Sequence, residues 1–82
     1  MDIAVEISLY PLRAEYIAAI QDFIDRLNTH AGLKIVTNSM STQVSGEYAP
    51  VMQTLTEEIR RSFEGPHKAV FVMKVLGPFA AA

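Results

Sequence analysis

Residues 3–10 alternate, with Ile3, Val5, Ile7 and Leu9 on one side and Ala4, Glu6, Ser8 and Tyr10 on the other. A period of two held over eight residues predicts a strand with one buried face. Pro11 has no amide with which to extend a ladder, and beyond it the period lengthens. Ile17, Ile20, Ile24, Leu27 and Ala31 fall on one helical stripe, widened by Tyr16 and Phe23. Gly32 stands where a left-handed residue closes a helix.

Two short runs follow, residues 33–37 and 42–47, separated by Asn38, Ser39, Met40 and Ser41. They predict a hairpin whose turn is not fixed by an Asn-Gly or Asp-Gly pair. A second helical stripe runs through Tyr48, Met52, Leu55, Ile59 and Phe63, with Pro50 tolerated in the first turn and Gly65-Pro66 as the stop. Residues 68–76 then alternate between two apolar faces, and Gly77-Pro78 is expected to break that strand and leave residues 78–82 as a tail.

The order βαββαβ, joined by right-handed crossovers, predicts one α+β domain over residues 1–77. It is a ferredoxin-like sandwich, with a four-stranded antiparallel sheet ordered 4-1-3-2 and two helices on one face. The uncovered face carries Ala4, Glu6, Ser8 and Tyr10, joined by parity by Val36, Gln43, Ser45, Glu47, Val70, Val72 and Lys74. That mixture suits a sheet packed on another sheet, so a homo-oligomer, dimer or tetramer, is expected through it.

Composition narrows the function classes. The chain has 82 residues, half of them apolar, and seven Lys and Arg against nine Asp and Glu, for a net charge of −2. A chain this short buries only about 60–65% of its unfolded surface, which also favours association. Mild acidity gives no footprint for nucleic acid, and no apolar run reaches the roughly 18 residues of a membrane span. With no cysteine and an acid at position 2 where a signal peptide needs bases, a cytoplasmic protein is expected.

Catalysis finds no candidate constellation. His30 reads as a residue complementing the dipole at the end of the first helix, and His67 as an exposed turn residue at the opposite end of the sandwich. Glu57-Glu58 with Arg60-Arg61 reads as a solvated helix face with intrahelical pairs. No His or carboxylate pair has a metal-ligand spacing, and the four glycines are scattered at element ends rather than gathered into a phosphate loop. The expectation is a protein that is not an enzyme and holds neither metal nor cofactor.

The topology gathers one polar cluster. The end of the first strand, the hairpin and the start of the last strand share an edge, bringing Tyr10, Pro11, Asn38, Ser39, Met40, Ser41 and Thr42 together, with Pro66 and His67 nearby. Tyr10 is able to stack on a flat ring while Asn38, Ser41 and Thr42 offer donors and acceptors; equally, Asn38 and Ser41 are ordinary turn builders. The helix side of the hairpin is short of bulk, since Thr37, Thr42 and Gly46 sit among Leu33, Ile35 and Val44. Either Tyr16, Tyr48 and Met52 fill that space or it is a pocket. Parity puts Tyr10 and Thr42 on opposite faces, so one pocket takes both only by wrapping the edge or crossing a subunit boundary.

The segments Glu6-Ile7-Ser8-Leu9-Tyr10-Pro11-Leu12, Tyr16-Ile17, Phe23-Ile24, Thr37-Asn38-Ser39-Met40-Ser41-Thr42-Gln43-Val44 and Gly46-Glu47-Tyr48 with Val51-Met52 closely resemble the YkoF-like thiamine/hydroxymethylpyrimidine-binding family. The resemblance implies a ferredoxin-like domain that binds thiamine or its pyrimidine part without chemistry, in support of precursor uptake or salvage. Because the chain holds one copy of a domain that the family also uses in pairs, it further implies self-association. Against such a ligand, Asn38, Ser41 and Thr42 would supply the directed polar groups, Tyr10 or Tyr48 the stacking surface, and Glu6 or Glu47 an attraction for the cationic thiazolium. Glu6 paired with Lys74, and Glu47 solvated ahead of the second helix, are the competing readings. The alternative function is a small assembly or regulatory module with no small-molecule ligand.

Overall fold

The structure, a computed structural model, describes residues 1–79. Its elements are β1 (Asp2–Pro11), α1 (Tyr16–Leu27), β2 (Lys34–Thr37), β3 (Thr42–Glu47), α2 (Tyr48–Phe63) and β4 (Ala69–Phe79). The sheet is antiparallel in the order β2-β3-β1-β4, which is the expected ferredoxin-like arrangement read from the other edge. Among the described residues, no helix is long and apolar enough to cross a membrane.

The core follows the alternation of β1. Ile3, Val5 and Ile7 are buried together with Val44 of β3, Phe23 and Leu27 of α1, and Val51 and Leu55 of α2. Leu9, Ile35, Ile59 and Phe71 pack around them at partial burial. Phe71 stands between two rings, with centroids 5.1 Å from Phe23 and 5.5 Å from Phe63, so β4 is tied to both helices by tilted and edge-on aromatic contacts.

Several expectations need correction. α1 stops at Leu27 and does not run to Ala31. The Asn28 amide still donates to the Ile24 carbonyl at 3.1 Å, joined by Asn28 Nδ2 at 2.8 Å, but beyond it the bonds tighten: the Thr29 amide and Oγ1 both donate to the Arg26 carbonyl, at 3.2 and 2.7 Å, and the His30 amide turns to Leu27 at 3.2 Å. Gly32, at φ +84°, turns the chain toward β2 instead of capping the helix. The stripe is also rotated: Phe23 and Leu27 are buried, whereas Ile17 is 68% exposed.

Gly77-Pro78 do not break β4. Asp2 pairs with Phe79 and Ala4 with Leu76, a bulge that lets β4 pass residues 77 and 78 against the single Ile3 of β1. β4 is an edge strand, and edges and bulges are where a proline is tolerated in a sheet. Gly77 is required for room, since a Cβ there would lie 2.7 Å from Ile3 Cγ2. Of the expected tail, Pro78 and Phe79 belong to β4, and residues 80–82 lie outside the described residues.

The charge cluster on α2 keeps its intrahelical pairs, Arg61 with Glu57 and Glu58, and exposes Arg60 and Arg61, but Glu58 departs from the solvated face its sequence implied. Glu58 is completely buried, lying on the inward stripe with Val51 and Leu55. Arg26 Nη1 of α1 donates to Glu58 Oε1 at 2.7 Å, His30 Nε2 lies 2.7 Å from Oε2, and Arg61 Nη1 is 3.4 Å from Oε2. Burial alone would raise the Glu58 carboxyl; the hydrogen bonds of His30 and Arg26 and the charges of Arg61 and Arg26 outweigh it and hold its pKa below the ordinary 4.5. His30 is accordingly a partner of this carboxylate, in addition to standing just beyond the helix end.

Candidate functional site

The candidate site comes from a mismatch in strand length. β3 pairs with β1 only as far as Ile7↔Thr42, whereas β4 accompanies β1 through Pro11↔Ala69. Ser8–Pro11 of β1 therefore overhang the hairpin by roughly 13 Å of strand, at about 3.3 Å per residue. Along that length the edge facing the hairpin has no strand partner, and alternate residues turn backbone N–H and C=O groups into the gap.

The gap is a cavity of about 510 Å³, closed on its third side by α1 from Tyr16 to Ile24. Leu9, Ile20, Phe23 and Ile24 give it an apolar base; Tyr10, Tyr16 and Met40 stand around it; and Thr37, Asn38, Ser39, Ser41 and Thr42 form the polar side. Its lining carries no Asp, Glu, Lys, Arg or His. Both faces of β1 contribute, Ile7 and Leu9 from the helix side and Ser8 and Tyr10 from the other, so the pocket wraps the strand edge within one chain. The two possibilities for the hairpin corner are thus divided: Leu33 and Val51 crowd the Gly46 end, while the Thr37 and Thr42 end is open.

The polar side is partly committed to the turn. Asn38 Oδ1 accepts from the Met40 amide at 2.8 Å and the Ser41 amide at 3.1 Å, and the Asn38 amide donates to the Ser41 carbonyl at 3.0 Å. Asn38 is therefore the turn builder its residue type suggests, and its side-chain oxygen is occupied. Its Nδ2 is left with two donors. Thr37 and Thr42 join hydroxyls at 3.0 Å, with Thr42 only 5% exposed; one hydroxyl donates to the other, which leaves a single O–H for a further acceptor.

Of the candidate residues, Tyr10, Asn38, Ser41 and Thr42 are brought together around this cavity. Glu6, Glu47 and Tyr48 are not. Glu6 faces the uncovered side of the sheet, with Oε1 4.0 Å from Lys74 Nζ of its register partner. Glu47 pairs with Asp2, and the Tyr48 amide donates to the Met1 carbonyl at 2.9 Å, so both sit at the far end of β3, roughly 16 Å from Thr42 at 3.3 Å per residue. Pro66 and His67 line a different cavity. The residues missed were Tyr16, Phe23, Ile20 and Ile24: a helical stripe spread from Tyr16 to Phe23 is too wide for one packed face, and its excess width forms the pocket wall.

A family model described as the YKOF-related family matches residues 2–75. The chain belongs to the YkoF-related family. No curated protein matches it in sequence. Among solved structures, the chain is similar to a Streptococcus pneumoniae protein at TM-score 0.85 and 22% identity, covering 96% of this chain and 89% of that one. A Methanocaldococcus jannascii hypothetical protein gives TM-score 0.82 at 19% identity, with coverage of 99% and 84%. A Thermotoga maritima protein, provisionally assigned to thiamine biosynthesis or salvage, gives TM-score 0.79 at 19% identity, with coverage of 92% and 82%. At these identities the three neighbours speak for the fold, while family membership rests on the sequence match. This YkoF-related chain thus has a ferredoxin-like domain with a charge-free pocket at its hairpin edge.

Proposed function

We propose that this protein binds thiamine through its hydroxymethylpyrimidine part, or that pyrimidine itself, without chemical conversion, in support of precursor uptake or salvage in the cytoplasm. The observation that carries the reading is the charge-free cavity of about 510 Å³ in the gap between the hairpin and the overhanging end of β1. An aminopyrimidine is flat and neutral, and needs apolar faces plus a few directed donors and acceptors. Tyr10 and Tyr16 offer the faces, Asn38 Nδ2 and a threonine hydroxyl the donors, and the free β1 edge both donors and acceptors. With Glu6 and Glu47 away from the cavity, no carboxylate in its lining offsets the charge of a cation, so the thiazolium is proposed to lie toward solvent. The test is thermal denaturation with each compound: both raise the melting temperature, and a flat response to millimolar hydroxymethylpyrimidine overturns the reading.

A second observation supports self-association. Val36, Val70, Val72 and Leu76 are exposed on the helix-free face, beside the Glu6 and Lys74 pair. The proposed occupant is the same face of another copy, for which a two-fold axis near that pair would set each Glu6 by the other copy's Lys74. Tyr10 borders both this face and the pocket, so association and ligand binding are proposed to be neighbours.

A further inference from the structure

Four of the seven Lys and Arg side chains, Arg13, Arg26, Arg61 and Lys68, line a second cavity of about 210 Å³ between α1, the end of α2 and the start of β4. In a chain with net charge −2, such a gathering of cations is not a consequence of composition. The cavity meets a different face of α1 from the one that walls the hairpin pocket: Ala18, Ala19 and Asp22 border the one, Ile20, Phe23 and Ile24 the other.

The cations differ in how much of their charge is already answered. Asp22, the one acid in the lining, is held by Arg26 Nε at 3.0 Å. Arg26 is fixed further by Glu58 and by Ser62 Oγ, both at 2.7 Å, so it forms a wall with little left to donate. Arg61 is half exposed and meets Glu58 only at 3.4 Å and Glu57 at 3.9 Å. Arg13 uses Nε on the Glu15 carbonyl at 3.3 Å, which leaves its two Nη groups. Lys68 has no acidic partner among the described residues, and His67 adds a ring N–H.

We propose that this cavity binds the phosphate group of a free phosphate ion or of a phosphate monoester. Arg61 and Arg13 present forked donors, Lys68 a compact charge, and Ala18 and Ala19 line it with small side chains. At about 210 Å³ it falls below the usual 300–1,000 Å³ of pockets for whole organic ligands, which fits a group of a few heavy atoms. The two cavities share only Leu9 and Pro11 of β1 and none of the cations, so this site stands or falls independently of the pyrimidine pocket.

Calorimetric or NMR titration of the full chain with inorganic phosphate and with glycerol phosphate tests the proposal. Saturable binding of either probe, with Kd about 1 mM, is expected. Lys68→Gln weakens it at least about fivefold while Lys34→Gln, at the far end of β2, leaves it unchanged. The tighter probe identifies whether the free ion or the ester is the natural form. No saturation at about 10 mM, or equal weakening by the two substitutions, overturns the assignment. Hydroxymethylpyrimidine binding measured on Lys68→Gln stays at the wild-type value, which separates this site from the hairpin pocket.

Discussion

Arg26 on α1 and Glu58 on α2 are joined twice, by Nη1 to the Glu58 carboxylate at 2.7 Å and to its backbone carbonyl at 3.0 Å, and the Glu58 side chain has no exposure. Two helices far apart in sequence are thereby fixed at one point by a buried, hydrogen-bonded ion pair. Removing one partner of such a pair leaves the other charge desolvated and unmatched, so Glu58→Ala is expected to lower stability by about 3 kcal/mol in urea denaturation. A loss below about 0.5 kcal/mol means that water or a neighbour replaces the carboxylate without cost.

The same carboxylate gives a pH dependence with a defined sign. Its pKa in the folded chain lies below the ordinary 4.5, so the unfolded chain binds more protons in acid. The stabilisation is fully present above pH 4.5 and is lost as pH falls through the lower, folded value. Melting temperature is expected to decline in that window, and Glu58→Gln to remove that part of the decline. Parallel curves for the two proteins assign the acid sensitivity to other carboxylates.

Asn38 has two separable roles. Asn38→Ala removes the acceptor of the Met40 and Ser41 amides and is expected to cost about 1 kcal/mol of stability. Asn38→Asp keeps that acceptor and replaces the Nδ2 donors with a charged acceptor oxygen, so the melting temperature holds while hydroxymethylpyrimidine binds about fivefold more weakly, or about 1 kcal/mol. Unchanged affinity in Asn38→Asp places the ligand elsewhere in the cavity.

Gly77 is constrained by space. A methyl group at this position meets Ile3 Cγ2, which belongs to a stiff β-branched side chain in the core. Gly77→Ala is expected to destabilise by about 1–3 kcal/mol, measured by denaturant midpoint, as overpacked sites do. A neutral outcome implies that β4 shifts at its bulge without loss of packing.

The helix-free face is tested by Val72→Glu. An unpaired charge at the centre of a sheet-to-sheet contact opposes its burial, so sedimentation is expected to register a smaller particle than the wild type. Identical sedimentation of the two proteins removes this face as the contact.

Alternation in β1 and β4 and the spacing of Met52, Leu55, Ile59 and Phe63 were sufficient for the element order and sheet topology, because period and chirality are local properties that a sequence writes directly. The hairpin edge and four of its residues, Tyr10, Asn38, Ser41 and Thr42, were legible for the same reason, since topology alone brings them to one end. What tertiary structure decided were matters of register and depth. The pocket exists because β3 stops at Thr42 while β1 continues to Pro11, a difference invisible until the strands are paired. Glu58 is buried because Arg26 and His30, both from another segment, meet it there; by sequence alone its nearest cations, Arg60 and Arg61, made it look solvated. β4 passes Gly77-Pro78 because an edge strand with a bulge has no need of the missing amide, and edge position is a property of the sheet rather than of the strand.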